Sequence, residues 1–499
     1  MVKVKVIPLN KTIKVKKSTN LGKALQELGF ELPCGGEGSC GKCRVKIIDS
    51  DLPINSADGK YISSEDIEKG WRLACQHHVE QDLTVEVEQW EIKIEEKIMD
   101  QSAVQYSGEY GIAIDAGSTT IAGRLIDLSS GNILMTKVAY NSQKKYGADI
   151  MTRMNFASKE GAERLQKELR ESIYKIVKSM AVQTKSTISK INIVGNTFIH
   201  HSFCGLDLKP LMTIPYKATS LDKYTFQLSE LSWSLDGHPQ VTFLPNLGGY
   251  VGSDILAGIL STGLFKKDKI SLLIDIGTNG EIVLGNREQI YFASTAAGPA
   301  FEGGKIKMGM RADKGAITHA HCKDGKIIAD VKDNATPRGI CGSGLLDAVA
   351  CGLKLGKIDQ SGRIQDGTDQ LVIKEPVKIF QQDVRELQLA KGAIAAGVEV
   401  LLQNASLSLD QIDNLYLAGA FGNYLNIDSA IILGLLKLEK NKIQSEGNTA
   451  LRGAVLSLFQ ENFSQITSVV KHIELNSVDE FQNIFIQNMS FPENYENLI

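Results

Sequence analysis

Four cysteines, Cys34, Cys40, Cys43 and Cys75, crowd one end of a 499-residue chain with the spacing C-x5-C-x2-C-x31-C. Four thiolates brought together can hold either a zinc ion or an iron–sulfur cluster. Structural zinc sites usually place one cysteine pair on each side of the metal. Here three thiols share one loop, CGGEGSCGKC, and the fourth arrives from RLACQ. The interleaved glycines let backbone N–H groups turn inward toward sulfur, a conformation that a Cβ disfavours. His77 and His78 follow the fourth cysteine, but four thiols complete the set and both imidazoles read as surface groups. The remaining cysteines, Cys204, Cys322, Cys341 and Cys351, are scattered and read as small buried residues.

A second constellation could bind phosphate. In Asp115-Ala116-Gly117-Ser118-Thr119-Thr120 a carboxylate closes an apolar run, a glycine allows close backbone approach, and hydroxyls and amides line the turn. Asp275-Ile276-Gly277-Thr278-Asn279-Gly280 repeats the arrangement. Two such hairpins facing each other can clamp a Mg-triphosphate, Asp115 and Asp275 holding metal-bound water and acting as the catalytic carboxylates. No G-x4-G-K-[ST] loop occurs, and no G-x-G-x-x-G follows a strand, which argues against P-loop and Rossmann nucleotide sites.

The elements that must position these groups are legible in outline. VKVKVIP and TIKVKK alternate with period two around PLNK and predict a hairpin. Leu21, Ala24, Leu25 and Leu28 show helical spacing with Gly29 as a stop. CRVKII and LTVEVEQW read as further strands. Residues 1–92 therefore form one small β-grasp-like domain, and 93–108, charged and then small and polar, read as a linker. From 109 a strand–turn–strand pattern begins, and it returns at 270–286. This weak internal repeat predicts two similar subdomains, 109–268 and 269–499, with amphipathic helices at 160–184 and 252–264.

Length alone requires more than one domain. A formal net charge of −3 gives no electrostatic footprint for nucleic acid. No run approaches 18 apolar residues and the N-terminal stretch lacks the core of a signal peptide, so neither a membrane partner nor export is expected. Eight cysteines are too few for a disulfide scaffold, and a cytoplasmic setting is expected.

The cysteine loop is one residue longer than the plant-type C-x4-C-x2-C pattern. With its C-Q dipeptide at the fourth thiol, it resembles the adrenodoxin-like [2Fe–2S] ferredoxins. The paired hairpins resemble the phosphate-1 and phosphate-2 motifs of the acetate and sugar kinase, Hsp70 and actin (ASKHA) superfamily. STAAGPAFEGG with Gly298, LAGAFG with Gly419 and Gly422 as an adenosine loop, and NTALRGA as a connecting helix follow in that superfamily's order. The implied fold is α/β: a β-grasp ferredoxin followed by a two-subdomain ASKHA ATPase. GGYVGSD, 248–254, would open the first connecting helix, with Asp254 near a hinge. Cys341 in GICGSG reads as packing, His200 and His201 as a helix surface, and 305–315 as a solvated loop.

Together these segments resemble the reductive activators of corrinoid-dependent enzymes. The resemblance implies a [2Fe–2S] cluster, ATP and Mg2+, and an activity that reduces a partner corrinoid protein of a methyltransferase or O-demethylase system from Co(II) to Co(I). It also implies an external low-potential electron donor, and a homodimer is compatible with it. A plant-type cluster sits near −400 mV, above the cobalt couple of such a partner. A gap on the order of 120 mV corresponds to about 2.8 kcal/mol, which allosteric coupling to nucleotide can supply. The rival readings are an activator of another low-potential enzyme and an ASKHA metabolite kinase with a redox-sensing ferredoxin domain.

Overall fold

The computed structural model describes residues 1–87 apart from 8–10, 27, 29, 31, 33–35, 39, 40, 42 and 51. It also describes 108–499 apart from 185, 186, 215, 366, 423, 424, 461, 462 and 495. Cys34, Cys40 and the expected linker thus lie outside the described residues, apart from Gly108. The chain divides into two compact units, Met1–Gly252 and Ser253–Ile499.

In the first unit, β1 (Val2–Ile7) and β2 (Lys11–Val15) pair antiparallel. Helix α1 (Leu21–Gln26) buries Leu21, Gly22, Ala24 and Leu25. Strands β3 (Arg44–Ile47), β4 (Trp71–Leu73) and β5 (Leu83–Glu86) complete a five-stranded sheet in the order β2-β1-β5-β3-β4, with the short α2 (Ser56–Tyr61) between β3 and β4. Buried Val2, Val4 and Val6 alternate with exposed Lys3 and Lys5 along β1, as a sheet with one wet face requires.

A second sheet follows in the same unit: β6 (Tyr110–Ala116), β7 (Thr120–Asp127), β8 (Ile133–Tyr140), β9 (Ile188–Val194), β10 (Tyr224–Phe226) and β11 (Gln240–Phe243). Their order is β8-β7-β6-β9-β11-β10. Central β6 is buried on both faces except at Asp115, so its apolar run is nearly continuous. Helix α3 (Glu163–Thr184) covers the sheet, burying Leu165, Leu169, Ile173 and Val177 at helical spacing. Helix α4 (Thr197–Cys204) follows β9.

The second unit repeats the theme. Helix α5 (Ser253–Thr262) precedes β12 (Ser271–Ile276), β13 (Gly280–Gly285) and β14 (Ile290–Thr295). Helices α6 (Gly342–Lys354) and α7 (Gln381–Ala405) lead to β15 (Asn414–Ala418), β16 (Ile443–Gly447), α8 (Thr449–Ser457) and β17 (Val470–His472). The sheet order is β16-β15-β12-β13-β14-β17. Helix α5 packs against α8 within this unit. Among the described residues no helix is long and apolar enough to cross a membrane.

Candidate functional site

The two described cysteines of the cluster loop come together. Cys43 ends the loop just before β3, and Cys75 follows β4 in a short 3-10 turn. Antiparallel pairing of β3 with β4 sets their register, and the Ala74 N–H donates to the Cys43 carbonyl at 2.9 Å. The sulfurs lie 3.2 Å apart, unbridged, on residues 2% and 4% exposed. That is too far for a disulfide and close enough for two thiolates to share one metal atom. Gly36, Gly38 and Gly41 all have φ between +66° and +90°, a conformation the loop could not hold with other residues at low cost. The all-sulfur donor pair and the glycine turn fit an iron–sulfur cluster.

His77 is not the surface group expected. It is 5% exposed, with Nε2 2.8 Å from Asp58 Oδ2, and Asp58 is fully buried. The other Asp58 oxygen accepts from the Leu73 N–H at 2.8 Å, and Asn55 and Asp58 form a reciprocal cap on α2. The pair therefore ties α2 to the segment carrying Cys75.

In the second unit, Asp275 stands near the end of β12, cross-strand from Glu281 on β13 and beside Ala418 of the parallel β15. Gly277–Asn279 form the turn, with the Gly277 N–H donating to the Asn279 carbonyl at 3.0 Å. Thr278 Oγ1 donates to Glu302 at 2.7 Å, and the Gly298 N–H donates to the Thr278 carbonyl at 3.0 Å. Gly280 opens β13, where a Cβ would lie 2.7 Å from Ile394 of α7. Gly419 follows β15 with φ +88°, and a Cβ there would fall 2.5 Å from Asp275 Oδ1. Asp275, the hairpin turn, Gly298 and Gly419 are thus one locus. Gly422 sits one turn on, against Leu417, and its neighbour Phe421 lies 4.9 Å from the Phe301 ring.

Sequence spacing does not single out Glu281, although it directly follows Gly280. Glu281 is half-buried, and burial first, then Asp254 and Asp275, push its pKa well above the ordinary value. Asp254, Asp275 and Glu281 thus act on one another at this locus, and a nearby cation would favour the ionised form of Glu281. Among the described residues no three His, Cys, Asp or Glu side chains converge to hold a metal alone.

In the first unit, half-buried Asp115 pairs with Ala122 across β6 and β7. Gly117, Ser118 and Thr119 form the turn, and Thr120 begins β7, exposed. A Cβ on Gly117 would lie 2.7 Å from the Thr120 carbonyl. Fully buried Asn141 holds this turn: its Nδ2 donates to the Gly117 carbonyl at 3.0 Å and its N–H to the Thr119 carbonyl at 2.9 Å. Nothing in the sequence spacing marks Asn141, because it arrives from the end of β8.

His200 and His201, expected on a helix surface, are both fully buried in α4. His200 Nε2 donates to the Asp222 carbonyl at 3.0 Å. His201 Nδ1 donates to the Thr197 carbonyl at 2.9 Å, and its Nε2 accepts from the Thr219 N–H at 3.0 Å. Two neutral rings thereby pin the following loop to α4. Burial holds both below the ordinary range, His200 at about 4. Cys341 caps α6 and is buried, as is Cys351, while Cys204 and Cys322 are half-buried.

Comparison with known proteins divides the chain into three matched segments. Residues 4–80 match a 2Fe-2S iron-sulfur cluster binding domain, 110–267 the RACo middle region, and 269–499 the C-terminal domain of RACo, the ASKHA domain. The corrinoid activation enzyme RamQ of Eubacterium limosum is 34% identical over 423 residues, covering 77% of this chain and 71% of that protein. The chain belongs to the RACo family. A second relative is a reductase of Methanosarcina barkeri named for a Co(II) methylated amine-specific corrinoid protein. It is 26% identical over 419 residues and covers 77% of each chain. The solved reductive activator for corrinoid, iron-sulfur protein aligns over 99% of this chain and 98% of its own, with TM-score 0.68 and 28% identity. This RACo-family chain thus joins a 2Fe–2S cluster-binding domain to an ASKHA domain.

Proposed function

We propose that this chain is an ATP-dependent reductive activator that delivers one electron to the Co(II) corrinoid of a partner protein and returns it to Co(I). The observation that carries the reading is the union, in one RACo-family chain, of a buried thiol pair with two D-x-G hairpins. The names of its relatives, a corrinoid activation enzyme and a Co(II) corrinoid protein reductase, point to the substrate class.

In this reading Cys34, Cys40, Cys43 and Cys75 hold a [2Fe–2S] cluster, which when bound supplies a one-electron store of low potential. Asp115 and Asp275 would orient water on a nucleotide-bound Mg2+, and the turns Gly117–Thr120 and Gly277–Gly280 would face its phosphates. Gly419 leaves the Asp275 carboxylate room at the strand end, and Gly298 and Gly422 belong to the loops expected around the nucleotide. Asn141 and the Thr278–Glu302 bond fix the two turns, so their donors need little reorganisation on binding. The electron comes from an external low-potential donor, in a reducing cytoplasmic setting. The domain limits follow the sequence reading, 1–92, 109–268 and 269–499.

The test is anaerobic. Reduced protein is mixed with a Co(II) corrinoid protein of a methyltransferase system, and the visible spectrum is followed with and without Mg-ATP. The Co(I) band should grow only with Mg-ATP and disappear in Asp275→Ala. Equal reduction without nucleotide would leave a plain electron carrier, and a nucleotide-dependent phosphorylated metabolite would replace the proposal with a kinase.

A further inference from the structure

The cysteine loop is closed by a side chain that is neither a ligand nor titratable. Gln76 is half-buried, immediately after Cys75, and its Nε2 lies 3.3 Å from Cys75 Sγ, 3.1 Å from the Gly36 carbonyl and 3.3 Å from the Cys75 carbonyl. The Gly38 backbone wraps the same carboxamide. A Cβ on Gly38, where φ is +70°, would fall 2.6 Å from Gln76 Cδ, so any larger residue would evict the amide. The segment carrying Gln76 is itself anchored. Asn20 Nδ2 donates to the Cys75 carbonyl at 2.8 Å, and Asn55 Nδ2 to the Gln76 carbonyl at 3.2 Å.

We propose that Gln76 sets the reduction potential at this site, by donating a carboxamide N–H to the Cys75 sulfur while latching the 36–38 stretch over it. This rests on the reading that Cys75 is a cluster ligand. Gln76 acts through that ligand and is a positioning residue. Reduction adds one electron, supplied from outside, and part of the added charge falls on the ligand sulfurs. A donor aimed at a sulfur therefore stabilises the reduced form more than the oxidised form, and raises the potential. Placing that donor on the side chain beside the ligand makes its strength depend on loop closure. Anything that lifts the 36–38 stretch away from Gln76 also lowers the potential.

The experiment compares the full-length protein with Gln76→Met and Gln76→Glu, both close in size and neither able to donate when the carboxyl is ionised. Iron and sulfide content and the visible spectrum are measured first, and then the midpoint potential by anaerobic dithionite titration. Both variants should keep their iron and hold about tenfold less reduced form at a fixed potential, a shift of about 59 mV downward. An unchanged potential in an iron-replete variant would overturn the proposal. Loss of iron from both variants would overturn it too, leaving a structural latch alone. Wild-type protein without iron and sulfide would instead defeat the underlying cluster reading.

Discussion

Gly419 and Gly422 bracket the same four-residue turn, and the structure separates them sharply. At Gly419 a Cβ would lie 2.5 Å from Asp275 Oδ1 and 2.8 Å from the Ile276 carbonyl, with φ at +88°. At Gly422 the nearest atom is Leu417 Cγ at 3.2 Å, and φ is not positive. The left-handed conformation alone costs a non-glycine residue about 1–2 kcal/mol. The carboxylate must then also move by several tenths of an ångström from the place where it would meet Mg2+. Gly419→Ala should therefore destabilise the second unit by about 2–3 kcal/mol, lowering its Tm by about 4–12 °C. It should weaken Mg-ATP binding at least tenfold, about 1.4 kcal/mol. Gly422→Ala should stay within about 1 kcal/mol of wild type on both counts. Calorimetric titration with Mg-ATP and a thermal melt read the two effects separately. If Gly419→Ala bound nucleotide as tightly as Gly422→Ala and melted at the same temperature, the placement of Gly419 against Asp275 would be refuted.

Other tests are simpler. Because the folded-state pKa of His200 is about 4, against an ordinary 6.5, the neutral ring is favoured in the fold. Its contribution should be complete above about pH 6.5 and be lost as pH falls through 4, with His201 shifted the same way, so Tm should drop across that window and His200→Gln should flatten the drop. Lys391 is 2% exposed, its Nζ donating to the Ser490 carbonyl, and burial followed by Lys437 lowers its pKa to about 7. The cost of burying it builds up as pH falls from about 10.5 to about 7 and is complete below that, so Lys391→Met should gain Tm relative to wild type at pH 6 and less at pH 9. Helices α5 and α8 cross where a Cβ on Gly453 would lie 1.9 Å from the Ala257 carbonyl, and Gly453→Val should cost more than about 3 kcal/mol, read by urea unfolding.

The sequence by itself determined the chemistry and the order of the parts. Spacing alone set Cys34, Cys40, Cys43 and Cys75 apart from four scattered cysteines, and apolar runs ending in Asp115 and Asp275 marked the strands β6 and β12. Those signals are local: a hairpin's register follows from its turn and its alternation. What joins distant segments was decided only by the tertiary structure. Asn141 reaches the Gly117 turn from the far end of β8. Glu281 feels the Asp254 carboxylate because Asp254 arrives on α5. His77, His200 and His201 looked like surface groups because polarity is the only cue a single sequence offers for an imidazole. Each is buried because a carboxylate or backbone partner, contributed by another segment, satisfies it there. Gln76 shows the same division within one loop. The sequence places it beside a thiol, but only folding brings the 36–38 stretch back to close over its amide.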